Sequence, residues 1–202
     1  MTISLQNAGK RFNREWIFRH FNYNFLPAAS YAITGSNGSG KSTLLQVIAG
    51  ATLHSEGKIN YNNNTNASIA EPYPYIAIAA PYLELIEELT ATEFLNFHAG
   101  FKPLTHSIPY ILTSVNLENA ASKQIRYFSS GMKQRLKLAQ AFFSLSPVLL
   151  LDEPTTNLDN DGVSLYHNLI KDHIGKRLII ISSNVQQEYD FCGEQIKMEA
   201  YK

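Results

Sequence analysis

The 202-residue sequence contains a single cysteine, Cys192. One thiol cannot close an internal disulfide, and with no cysteine near it there is no metal-site spacing, so a reducing compartment is the simplest expectation. Excess charge of either sign is also missing, since 17 basic and 17 acidic side chains give a formal net charge of zero. A chain so balanced offers no basic footprint for nucleic acid and no electrostatic pull toward an anionic bilayer. Nowhere does it approach the ~20 consecutive apolar residues of a membrane-spanning helix. Its longest apolar stretches, around 75–83 and 148–151, suit buried strands or short helices. Residues 1–10 lack the apolar core of a secretory signal. A role at a membrane would therefore need another chain to supply the span. Internal repeats and long linkers are absent too, and the length suits one well-buried core.

With 45% hydrophobic and 17% charged residues, the composition is that of a globular protein. Residues 3–6 and 16–25 read as strands around a turn at 10–14, with alternation at Phe21, Tyr23 and Phe25. Residues 30–34 form a short strand that runs into a glycine loop, and 41–49 a helix with Leu44, Leu45 and Ile48 at helical spacing. A short strand at 59–61 meets an asparagine-rich stretch, 60–66, expected as a surface loop. A strand at 75–79 ends before Pro81. Helices are then predicted at 83–89, at 91–99 (started by Thr90 or Thr92), at 108–116 and at 131–143. Residues 148–151 and 178–181 are continuous apolar strands. Such strands alternating with helices predict an α/β fold with a sheet covered on both faces, and 82–143 reads as a helical lobe upon it.

Gly35, Ser36, Asn37, Gly38, Ser39, Gly40, Lys41, Ser42 and Thr43 fit the pattern G-x-x-x-x-G-K-[ST], with a strand before and a helix after. The loop must turn backbone N–H groups inward around phosphate oxygens, and the glycines permit both the dihedrals and the close approach. The positive end of the following helix dipole faces the same anion. Lys41 would reach the β- and γ-phosphates of ATP, and the Ser42 hydroxyl would ligate Mg²⁺. Asp152 and Glu153 end the 148–151 strand, at the sheet edge where ligands sit in open α/β folds. Asp152 would hold Mg²⁺, and Glu153 would orient and polarise the attacking water. Read separately, the acidic pair is also compatible with a solvated turn.

Phe128, Ser129, Ser130, Gly131, Met132, Lys133, Gln134 and Arg135 resemble the L-S-G-G-Q signature of ABC transporter ATPases, matching at Ser129 and Gly131. Asn157, Leu158 and Asp159 are similar to that family's D-loop. Phe12 sits where the family carries an aromatic that stacks on adenine, with Trp16 as the rival. The resemblance covers essentially the whole chain. It implies a phosphate-loop NTPase of RecA-like type, with a mostly parallel core sheet, an N-terminal antiparallel β subdomain and an inserted α-helical subdomain. As one domain, 1–81 and 144–202 would form the nucleotide-binding core and 82–143 the helical subdomain. It also implies a head-to-tail dimer, homo- or heteromeric, holding two ATP. Each phosphate loop would face Ser129, Ser130, Gly131 and Met132 of the other subunit. The remaining implications are a membrane transporter subunit as partner and a cytoplasmic place at the inner face of the membrane, with no nucleic acid. The segment after Tyr82 would offer that partner a groove, with Leu83, Leu85, Ile86 and Leu89 as candidate lining.

Two positions depart from the family. Asn184 replaces the histidine that contacts the γ-phosphate, and its amide donates a hydrogen bond but carries no proton or charge near neutral pH. Tyr82 stands at the glutamine that senses Mg²⁺. Binding and dimerisation should survive these changes, while hydrolysis should persist, slowed. Two alternatives stay open: a soluble ABC-type ATPase acting on DNA or ribosomes, and a nucleotide-dependent regulatory switch.

Overall fold

The computed structural model describes residues 1–63, 65 and 67–202. Two sheets organise the chain. The first is antiparallel, ordered β2-β1-β4, from β1 (Thr2–Phe12), β2 (Glu15–Phe25) and β4 (Glu56–Asn62). The second is ordered β5-β6-β7-β3-β8, from β3 (Ser30–Thr34), β5 (Ile76–Ala79), β6 (Val148–Asp152), β7 (Leu178–Ser182) and β8 (Glu194–Lys197). All of its neighbouring pairs run parallel. The helices are α1 (Lys41–Ile48), α2 (Ala91–Ala99), α3 (Ile108–Ser114), α4 (Ser130–Phe142) and α5 (Asn160–Lys171).

The apolar runs of β6 and β7 explain why this sheet is buried. Val148, Leu150, Leu178 and Ile180 pack with α1 and the antiparallel sheet on one face. Leu149, Leu151, Ile179 and Ile181 alternate to the other face, against α4, α5 and the helical lobe. Each of these side chains is essentially inaccessible to solvent, and each contributes roughly 1.5–3 kcal/mol by leaving water. The expected sheet covered on both faces is therefore present. Arg177 is buried beneath it and donates to the carbonyls of Ala141 and Phe142 at the C-terminus of α4, a favourable place for a cation.

Several expectations need correction. Residues 83–89 are not helical: the carbonyls of Glu87 and Leu89 accept from the N–H groups of Arg126 and Ile125 at 3.0 and 2.9 Å. Pairing with a distant segment has replaced the local helical bonds, so tertiary contacts override propensity here. The first hairpin turn is only Asn13 and Arg14, because β1 continues to Phe12. Asn60 and Asn62 belong to β4, paired with Ser4 and Thr2, since a backbone ladder is indifferent to the side chains it carries. The remainder of the expected loop includes Asn64 and Asn66, which lie outside the described residues. Thr90 rather than Thr92 caps α2, in a reciprocal capping box with Glu93. α5 and β8 were not anticipated.

Two half-buried histidines give the fold an acid limit. Burial lowers the pKa of His98 to about 4, helped by the charge of Lys102. Burial likewise lowers His173 to about 4, helped by Arg177. Both imidazoles are neutral in the folded chain and take up a proton on unfolding once the pH falls below their ordinary value of 6.5. The stability they permit is full above about pH 6.5 and is lost as the pH falls toward 4. Thermal unfolding midpoints should fall across that window, and His98→Gln with His173→Gln should flatten the slope. An unchanged slope in the double variant would place the acid sensitivity elsewhere.

Candidate nucleotide-binding site

The phosphate loop leaves the C-terminal end of β3 and enters α1 at Lys41. Gly38 and Gly40 have φ of 78° and 100°, a region that strains any residue with a Cβ. At Gly40 a Cβ would also come within 2.7 Å of the Ile17 side chain, so the N-terminal hairpin abuts the loop. No side chain caps the start of α1, which leaves first-turn N–H groups free to meet an anion. Lys41 is buried, and its Nζ donates to the carbonyls of Gly35 and Ser36 at 2.8 and 3.2 Å. The Ser39 hydroxyl is buried without a partner among the described residues. Ser42 and Thr43 lie partly buried in the first turn of α1, while Ser36, Asn37 and Gly38 are exposed.

β7 lies between β3 and β6 in the sheet, so three strand ends converge on the same edge. β6 delivers Asp152, which is 1% exposed and has one oxygen, Oδ1, buried with no hydrogen-bond partner. Burial pushes its pKa up, against the hydroxyls of Ser42 and Ser182 and the ammonium of Lys41, which favour the charged form. Glu153 follows with φ of 42°, unusual for a residue with a side chain. Its N–H donates to the Ser182 carbonyl at 2.8 Å. After β7 comes Asn184, whose Nδ2 donates to Asn37 Oδ1 of the phosphate loop at 2.8 Å. The structure therefore brings the expected histidine replacement onto the loop.

Tyr82 lies within electrostatic reach of the same edge. Its phenol is pushed up to about 12 by burial and then by the charge of Asp152, so it stays neutral at ordinary pH. Phe12 is half exposed, with Lys10 Nζ 4.7 Å from its ring centre. The rival Trp16 carries the guanidinium groups of Arg11 and Arg19 at 5.4 and 4.2 Å and is less exposed than Phe12.

Ser129 caps α4, its Oγ accepting from the Met132 N–H at 3.2 Å. Ser130 opens the helix, and a Cβ on Gly131 would come within 3.1 Å of the Asn157 carbonyl. Among the described residues, no hydrogen bond or ion pair joins 128–132 to 35–43. The signature instead grips the loop after Glu153: Gln134 Nε2 donates to the Pro154 carbonyl at 2.8 Å, and Arg135 pairs with Asp159 at 2.8 Å.

Three contacts were not foreseen. Buried Gln134 lay unread within the Lys-Gln-Arg that follows the signature. Glu199 takes the Ser36 N–H at 2.8 Å, an interaction that lowers its own pKa. Glu188 is buried and holds Thr155. Nothing in the local sequence marks either glutamate, because each acts across the fold.

A glycine-rich loop on a parallel sheet, with a buried carboxylate two strands along, defines a phosphate-loop nucleotide-binding protein. The chain belongs to the ABC transporter family, whose model matches residues 18–156. It is similar to the cytochrome c biogenesis ATP-binding export protein CcmA of Xylella fastidiosa strain 9a5c, 37% identical over 158 residues, covering 77% of this chain and 70% of that protein. It is also similar to the ABC transporter ATP-binding protein YybJ of Bacillus subtilis, 30% identical over 97% of this chain and 92% of that one. In fold it matches an ATP-binding protein of an ABC transporter from Pyrococcus furiosus, with a TM-score of 0.82, 18% identity and full coverage of both chains. The dimeric post-hydrolysis structure of the ATP-binding cassette MJ0796, bound to ADP and Pi, matches with a TM-score of 0.77 and 24% identity over 96% of this chain and 93% of that one. The chain is thus an ATP-binding subunit of the ABC transporter type, and an ATPase.

Asn184→His should preserve or raise the steady-state rate of phosphate release, since imidazole also donates to Asn37 and can carry a proton. A large drop would show that the Asn184–Asn37 pair is tuned to a geometry histidine does not reproduce.

Proposed function

We propose that two copies of this chain, or this chain and a similar one, close head to tail around two ATP molecules. In this reading each phosphate loop faces Ser129, Ser130, Gly131 and Met132 of the opposite subunit. One observation carries it: the capped start of α4 is exposed at Ser129 and Ser130 and makes no bond to its own phosphate loop. A helix N-terminus with hydroxyls beside it suits the γ-phosphate of an ATP held elsewhere. The chain acts as a single ATPase domain, with 1–81 and 144–202 as its nucleotide-binding core and 82–143 as the helical lobe.

Within each site, Phe12 stacks on adenine, and the 35–43 loop and Lys41 hold the phosphates. The residues also fit Mg²⁺: a buried carboxylate oxygen without a partner, Asp152 Oδ1, stands near the Ser42 hydroxyl, and hard oxygen donors suit that ion. Asp152 and Ser42 would hold it, with neutral Tyr82 accepting a bond from its water. Bound there, the ion would supply positive charge that offsets phosphate charge. Glu153 orients and polarises the attacking water, and the Asn184 amide swings from Asn37 to the γ-phosphate. Proton-handling groups typically contribute ~10²–10⁴-fold. An amide in place of histidine therefore sets a slow rate.

The hydrolysis drives transport through a separate membrane subunit, with this chain peripheral at the inner face of the cell membrane. No helix among the described residues is long and apolar enough to cross a membrane. A groove of about 400 Å³ beside the helical lobe supports the docking. Leu83 and Ile86 line it with Tyr73, Phe97, Phe101 and Lys102, whereas Leu85 and Leu89 turn into the core. Lys102 is buried beside the Ile76 carbonyl and the Tyr73 ring. It joins no ion pair among the described residues. An amphipathic helix fits such a groove. The name of the Xylella relative, an export protein, supports outward transport.

Glu153→Gln should abolish turnover and trap an ATP-bound dimer, read by phosphate release and by size-exclusion chromatography with ATP. Undiminished hydrolysis would remove Glu153 from its role. Phe101→Ser should weaken co-purification with the membrane subunit while leaving the isolated ATPase unchanged. Equal recovery of the complex would place the docking surface elsewhere.

A further inference from the structure

Glu153 poses a mechanical problem. Its backbone sits at φ 42°, and a left-handed conformation in a residue with a side chain persists only where its surroundings over-determine it. The Ser182 carbonyl fixes its N–H, and its own carbonyl accepts from Thr156 at 3.1 Å. The next restraint in the chain is Thr155. Its backbone N–H donates to Glu188 Oε1 at 2.8 Å, and its hydroxyl donates to the same oxygen.

Glu188 is itself held rigidly. It is 2% exposed, and its carbonyl accepts from the buried Tyr166 hydroxyl at 2.6 Å. Its N–H donates to the Val185 carbonyl at 3.0 Å. The second carboxylate oxygen, Oε2, is buried with no partner among the described residues. A carboxylate kept so far from water with half its acceptors unmet is costly. It contributes little to stability that an apolar side chain would not, so its place calls for a positioning role. The segment that carries it begins at Asn184, which donates to Asn37 of the phosphate loop. Residues 184–188 therefore touch the phosphate loop at one end and the Glu153 loop at the other.

We propose that Glu188 is a positioning residue for hydrolysis. Through Thr155 it holds the strained Glu153 backbone so that the Glu153 carboxylate points at the attacking water, and it ties that aim to the state of the phosphate loop through Asn184. This rests on the reading of Glu153 as the water-orienting group. Loss of the clamp lets Glu153 relax toward an ordinary conformation without altering the residues that grip ATP. A misplacement of about 1 Å at a reacting group costs on the order of a hundredfold.

The test is steady-state ATPase kinetics, with separate measurement of fluorescent ATP-analogue affinity, on Glu188→Ala, Glu188→Gln, Thr155→Val and Thr155→Ser. Glu188→Ala should lower kcat by roughly ten- to a hundredfold with KM and nucleotide affinity unchanged. Glu188→Gln keeps an acceptor and should lose less. Thr155→Val keeps the backbone donor but loses the hydroxyl and should also fall between, while Thr155→Ser should restore the wild-type kcat. Should Glu188→Ala fail to fold, the Thr155 pair carries the test alone. A wild-type kcat in folded Glu188→Ala, or in Thr155→Val, would overturn the proposal. So would an equal fall in kcat and nucleotide affinity, the mark of general loosening. Undiminished hydrolysis in Glu153→Gln would instead sink the underlying reading, so the two failures are distinguishable.

Discussion

The structure depends on one placement, β7 between β3 and β6. Its five residues are all buried, and their backbone groups pair on both sides, Ile180 with Tyr31 and with Leu150. Because every pair is parallel, all the C-terminal ends emerge together. The phosphate loop, the Asp152–Glu153 pair and Asn184 are thereby delivered to one edge from three separate stretches of sequence. Without β7 in the middle, the loop and the carboxylates would share a fold but not a site.

That edge carries several features that are unfavourable for folding alone. A buried unpartnered carboxylate oxygen at Asp152, a buried unpartnered hydroxyl at Ser39 and a left-handed Glu153 all lie there. The rest of the molecule supplies the offsetting stability through two apolar clusters on either face of the sheet. Strain and orphaned polar atoms that meet at one strand edge suit a site adapted for a ligand rather than for folding. The strained loop is also gripped from both sides, by Gln134 of the signature helix and by Glu188 beyond Asn184.

Much of this was legible in the residues. The 35–43 pattern located its own strand, loop and helix, because its glycines and Lys41 admit few other arrangements. The apolar runs at 148–151 and 178–181 announced buried strands, and their alternation between two faces follows from the period of a strand. The Asp152–Glu153 pair and the signature could be read because their chemistry is local. Residues 83–89 carry four apolar residues at helical spacing, yet their backbone pairs with 125–126 instead of forming a helix. Two of the four, Leu85 and Leu89, went into the core rather than the groove.

The sequence by itself determined the class of chemistry, a phosphate-gripping loop followed by a carboxylate pair at a strand end, since each is a matter of residue type at short spacing. Only the tertiary structure decided which distant residues serve them. It put Asn184 onto Asn37, Glu199 onto the Ser36 N–H and Glu188 beneath Thr155, across separations of 147, 163 and 33 residues. Such contacts leave no periodic trace in the chain. They are set by strand order and by the packing that buries β7, and those emerge only when the whole core forms.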